Sequence, residues 1–154
     1  KGTGDFMREL SCKYGYSDIT QFLVEYVSEH PEVDHQVDEE QRIFGKENDN
    51  FVLDAHLGFH FVPDSIRICL ICDLEEAARR ILDDIERTTE DATNISESMA
   101  NSQKRRDTMQ KNFLSLYQVD INDHSNFDLV LDTTTLSSVE AFELVSSFID
   151  SRTN

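Results

Sequence analysis

Phosphate binding is the first chemistry that the residue types suggest. Of the 14 Lys and Arg, seven lie between Arg79 and Lys111: Arg79, Arg80, Arg87, Lys104, Arg105, Arg106 and Lys111. Arg presents a planar fork of donors that matches a phosphate, so such a cluster can hold a small anion. The same charges can equally be a solvated helix face. Asp34 and Asp38 stand one helical turn apart and face one way, either as pocket acids or as ordinary solvated ones. His56 and His60 are four apart, a spacing that hints at a metal pair, but they fall in a loop with no helical register to bring them together. Cys69 and Cys72 form a C-x-x-C inside an apolar β run. Three apart on a strand, they point to opposite faces and read as inert thiols rather than a site.

The bulk composition narrows the partners. The net charge is −17, which repels nucleic acid and anionic membranes, so neither is expected as a partner. A small anion remains possible where basic residues cluster. Three Cys give no disulfide framework. No signal peptide and no membrane-length apolar run is visible, which makes the cytoplasm the default location. The length of 154 residues suits one domain with one core.

The elements that must position these groups follow from caps and periodicity. Thr3-Gly4-Asp5 opens a helix to about Lys13, and Gly15 stops it. Ser17 or Asp18 caps a second helix carrying Ile19, Phe22, Leu23, Tyr26 and Val27 at helical spacing. Pro31 starts a third, with Val33, Val37 and Phe44 on its apolar side. Phe51-Val52-Leu53 reads as a strand after the Asn48-Asp49-Asn50 turn signal. Ile66 to Cys72 reads as a parallel strand covered on both faces. Asp73 caps a helix from Leu74 to Arg87. A polar stretch from Thr88 to Asn112 shows little periodicity, and Phe113, Leu114, Leu116 and Tyr117 restore an apolar face. Phe127 to Leu131 is a third strand, and Ser137 or Ser138 begins the last helix. Strands alternating with helices predict an α/β fold with a parallel sheet. Three strands are few for so many helices, and the expectation is that a βαβ lead-in of roughly 30 residues precedes Lys1.

Several segments, in order along the chain, resemble the cytidylate kinases. Thr3-Gly4-Asp5-Phe6-Met7-Arg8 is similar to the segment after that family's second strand. Phe51 to Gly58 resembles its V-L-x-G-R motif. Val62-Pro63-Asp64-Ser65 and Glu75-Glu76-Ala77-Ala78-Arg79-Arg80 resemble its F-P-D-A and A-x-R-R motifs. Tyr117 to Asp123 and Phe127 to Ser137 resemble its short archaeal and bacterial branch.

The resemblance implies a P-loop kinase-like three-layer α/β/α fold: a parallel sheet, a helical nucleotide-binding arm (1–48), core segments (49–87 and 113–154) and a lid (88–112). The implied reaction moves the γ-phosphoryl of ATP, with Mg2+, onto CMP or dCMP. Such transfer needs positioning and stabilisation of charge, and a lid that excludes water. Arg80 and Arg105 would then be catalytic, and Thr3, Asp5, Arg8, Asp34, Asp38, Asp54 and His56 would hold the acceptor. A monomer is the family habit.

Three departures weigh against activity. The Walker A motif G-x-x-x-x-G-K-[ST] is not among these residues, and its place in the family would precede Lys1. His56 stands where the family has Arg, and cannot fork onto a phosphate. Met109 and Asn112 fall where the family has an acid and an Arg. The expectation is therefore a kinase whose start lies upstream. The alternative is a catalytically inactive binding or assembly module, with a partner that completes the sheet. A shikimate- or adenylate-type kinase fits the motifs less well.

Overall fold

The computed structural model describes residues 1–17, 19–27, 29–30, 32–84 and 94–153, with the backbone alone at 19, 20, 23 and 34. It divides into two compact units, Lys1–Ser65 and Ile66–Asn154.

In the first unit, α1 (Thr3–Lys13) packs on α2 (Ile19–Phe22) and on α3 (Glu32–Glu47). Phe6 and Leu10 of α1, and Val33 and Val37 of α3, repeat at a spacing of four, so each pair buries on one helix face. Phe22 is fully buried between them, ringed by Tyr14, Tyr16 and Tyr26. Asp5 starts α1 by accepting the Gly2 N–H at 2.8 Å. Gly15, at φ 85°, ends it as expected, in a backbone region that costs glycine little. α2 continues as a π-turn over Leu23–Val27. The caps expected at Asp18 and Pro31 lie outside the described residues.

Phe51-Val52-Leu53 is not a strand. Among the described residues its pairing is a single parallel bridge between Gly2 and the adjoining Asp54, and Val52 is 80% exposed. A ladder needs a neighbouring extended segment, and among the described residues the backbone of this segment bonds to Lys1 and Thr3. A short helix, α4 (Gly58–Phe61), then turns Phe61 and Val62 into the core.

The second unit holds a parallel pair, β1 (Ile68–Ile71) and β2 (Leu129–Asp132), in the register Ile68↔Leu129 to Ile71↔Asp132. This is the expected α/β class. The expected cover on both faces of β1 is not seen: Leu70 is 58% exposed. Asp73 caps α5 (Leu74–Asp83) by accepting the N–H groups of Glu75 and Glu76. Arg87, expected at its end, lies outside the described residues, as do 88–93 of the polar stretch. The rest of that stretch forms one long helix, α6 (Ile95–Tyr117), begun by Asn94, which accepts the Glu97 N–H at 3.0 Å. Its many Gln, Lys, Arg, Met and Ala residues favour a helix on propensity, which periodicity alone did not reveal.

α6 packs on α5 and ends at Gln118, at φ 57°. α7 (Ser138–Thr153) opens with a reciprocal cap, in which Glu140 N–H donates to Ser137 Oγ and the Glu140 carboxylate takes the Ser137 N–H. Among the described residues no helix is long and apolar enough to cross a membrane.

Candidate functional site

The first unit brings Thr3, Asp5, Arg8 and Asp54 to the start of α1. The Thr3 N–H and hydroxyl both donate to the Asp54 carbonyl, at 3.1 and 3.4 Å. One turn along, Arg8 Nη1 donates to Asp5 Oδ1 at 2.8 Å. The other Asp5 oxygen holds Gly2, so this carboxylate fixes both the helix start and the guanidinium. The Gly2 N–H, then the Arg8 charge, hold the Asp5 carboxyl below its usual range. Arg8 is 64% exposed, and its remaining N–H groups can meet an anion at the positive end of α1.

The other first-unit candidates are less gathered. His56 is exposed in the turn before α4, while His60 lies in α4 with its ring edge against Phe61. Among the described residues no three His, Cys, Asp or Glu side chains gather as a metal set. Asp38 is half-buried on α3, and the side chain of Asp34 lies outside the described residues.

In the second unit Arg80 and Arg105 differ sharply. Arg80 Nε donates to Glu76 at 2.9 Å, and Nη2 meets the carbonyls of Thr133, Thr134 and Leu136 at 2.8, 3.2 and 3.2 Å. Arg105 is exposed on α6 and makes no hydrogen bond or ion pair through its side chain among the described residues. One turn on, Met109 is half-buried, and Asn112 is exposed. Arg106 is tied to Asn122 Oδ1 at 2.7 Å, and Arg79 is paired with Glu75 and Glu76. So Arg79 and Arg80 are paired with acids on their own helix, whereas Arg105, like Lys104 and Lys111, shows no ion pair among the described residues. Cys69 sits half-buried mid-strand, and burial pushes its thiol up.

Two features were not anticipated from sequence. Thr133 and Thr134 hook the end of β2 to the end of β1. Thr133 Oγ1 donates to the Ile71 carbonyl at 3.0 Å, and the Asp73 N–H donates to Thr134 Oγ1 at 2.8 Å. The signal was an Asp followed by two Thr at a strand end, a frequent side-chain turn. A cavity of about 700 Å³ opens beside them, lined by Leu70, Arg80, Thr133, Leu136, Phe142 and Val145.

Comparison with known proteins now bears on this arrangement. No family model matches, and no solved structure matches. The chain is 33% identical to a cytidylate kinase of Pyrobaculum islandicum over 149 residues, covering 96% of this chain and 76% of that one. It is 31% identical to a cytidylate kinase of Pyrobaculum aerophilum, covering 92% and 73%. It is also 32% identical, over 92% of its own length, to an S-adenosylmethionine-dependent nucleotide dehydratase of Lacinutrix mariniflava, of which it spans 28%. Near-complete coverage of this chain by archaeal cytidylate kinases above 30% identity makes it a member of the cytidylate kinase family.

Proposed function

We propose that the protein is a nucleoside monophosphate kinase that transfers the γ-phosphoryl group of Mg-ATP to CMP or dCMP, giving ADP and the nucleoside diphosphate. An acceptor phosphate oxygen forms the new P–O bond while the bond to the β-phosphate oxygen breaks. Residues 1–48 serve as the acceptor arm, 88–112 as the lid, and 49–87 with 113–154 as the core. Arg8, steadied by Asp5, takes the acceptor phosphate, with Thr3, Asp54 and His56 beside it. Asp34 and Asp38 are assigned to the acceptor pocket. Arg105 supplies positive charge to the phosphoryl group in transit. Mg2+ is taken to come as part of the substrate Mg-ATP.

The observation that carries this reading is the Asp5–Arg8 pair at 2.8 Å on the first turns of α1, in a chain from a family of cytidylate kinases. The test is a transfer assay on the full-length protein with Mg-ATP and CMP, dCMP or UMP, following ADP and diphosphate by chromatography. Equal amounts of ADP and CDP or dCDP support it. No product, together with no heat of ATP binding, would leave the inactive binding module, which His56, Met109 and Asn112 favour.

A second reading follows from the nucleotide dehydratase. There a region like this chain is part of a much longer protein. The kinase would then supply a phosphorylated nucleotide to a neighbouring nucleotide-modifying activity. Purified with such an enzyme, it should make the monophosphate usable as starting material; an unchanged requirement for added di- or triphosphate would dismiss this role.

A further inference from the structure

Arg80 spends its guanidinium on the protein itself. Nε and Nη2 are engaged with Glu76 and with three carbonyls, those of Thr133, Thr134 and Leu136. These carbonyls all belong to the loop that joins β2 to α7. Both strands run the same way, so this loop lies at their carboxyl ends, where ligands of open α/β sheets settle. The Thr133 and Thr134 hooks tie the same loop to the end of β1. Bidentate phosphate binding needs two parallel N–H groups. To supply them Arg80 would have to give up Glu76 or the loop.

We propose that Arg80 is a positioning residue: its fork holds the Thr133–Leu136 loop in the shape that receives a nucleotide at the strand ends, instead of binding the transferred phosphoryl group. The nucleotide part rests on the kinase reading, whereas the holding of the loop does not. Glu76 is the second half of the device, because it aims the fork from the preceding turn of α5.

The deciding substitutions are Arg80→Lys and Arg80→Ala, with Glu76→Gln as a milder variant that keeps charge and packing at Arg80. Lys keeps the positive charge but not the fork. In the full-length protein, amide exchange of residues 134–137 should quicken about tenfold in R80K as well as R80A, and less in E76Q. In the transfer assay both Arg80 variants should raise the KM for ATP about tenfold while kcat stays within about threefold. Unchanged exchange overturns the proposal. So does an R80K enzyme with near-normal kinetics beside an R80A enzyme that has lost kcat, since charge alone would then be what matters. If the unsubstituted protein forms no CDP, the kinase reading fails by itself. Exchange then decides the loop-holding role: quickening in R80K upholds it, and no change sinks it.

Discussion

Asp128 receives three hydrogen bonds from Arg67: the backbone N–H at 2.9 Å and Nε at 3.1 Å on one oxygen, and Nη2 at 3.2 Å on the other. Arg152 adds its charge at 3.7 Å. The Arg67 side chain, then its backbone N–H, bring the Asp128 carboxyl down to about 2. The folded value lies below the unfolded one, so the unfolded chain takes up the proton first. The stabilisation is therefore complete above about pH 4 and is lost as the pH falls towards 2. Asp128→Asn should lower Tm by about 5 °C near neutrality. The gap between variant and parent should close between pH 4 and pH 2, as followed by circular dichroism. A gap that stays constant would mean that the ion pair is not its source.

Gly45 lies in α3 where an added Cβ would stand 2.7 and 2.8 Å from the two methyl carbons of Val62. Gly45→Ala gains about 1 kcal/mol of helix propensity. It also forces apart a buried contact, at a cost of about 1–3 kcal/mol. Calorimetry should show a net loss of Tm, and adding Val62→Ala should recover part of it. Equal Tm values for G45A with Val62 present and absent would rule out this clash.

Arg8→Ala should raise the KM for CMP about tenfold or more, since a charge-assisted contact is worth about 1.5–3 kcal/mol. Arg8→Lys should recover part of the loss, because it keeps the charge without the fork. Asp5→Asn frees the guanidinium and weakens the hold on Gly2, so it should raise the same KM and lower Tm together. Steady-state kinetics with CMP varied at saturating ATP would separate these effects.

Arg105→Ala should leave Tm within about 1 °C, since the side chain has no partner among the described residues. In the kinase reading it should reduce kcat by about 10²–10³, the usual loss for one charge aimed at the reacting group. An unaltered kcat would remove Arg105 from the catalytic set.

What was readable in the sequence was local. Gly15, Asp73 and Ser137 mark helix ends through their own backbone and side-chain chemistry, and all three do so in the structure. The strand at Phe51–Leu53 was misread because pairing depends on a partner segment, and a three-residue apolar run carries no information about one. α6 was obscured for the opposite reason: its polar residues favour a helix without an apolar stripe. The types of the site residues were legible, but their engagements were not. Arg80 and Arg105 look alike in sequence, and differ because a loop more than fifty residues beyond Arg80 offers it three carbonyls.

The ring of Tyr14, Tyr16 and Tyr26 around Phe22 has an optical consequence. The chain has four Tyr and no Trp, and the fourth, Tyr117, lies at the end of α6 with its ring centroid 6.4 Å from that of Phe113. Tyr14 and Tyr26 have centroids 4.7 Å apart, and Tyr14 is further fixed by its bond to Gln36 at 2.9 Å. Chirally locked tyrosines dominate the near-ultraviolet dichroism of a tryptophan-free protein. With three of the four Tyr in Lys1–Ser65, that band reports mainly on this unit, while the far-ultraviolet signal follows both.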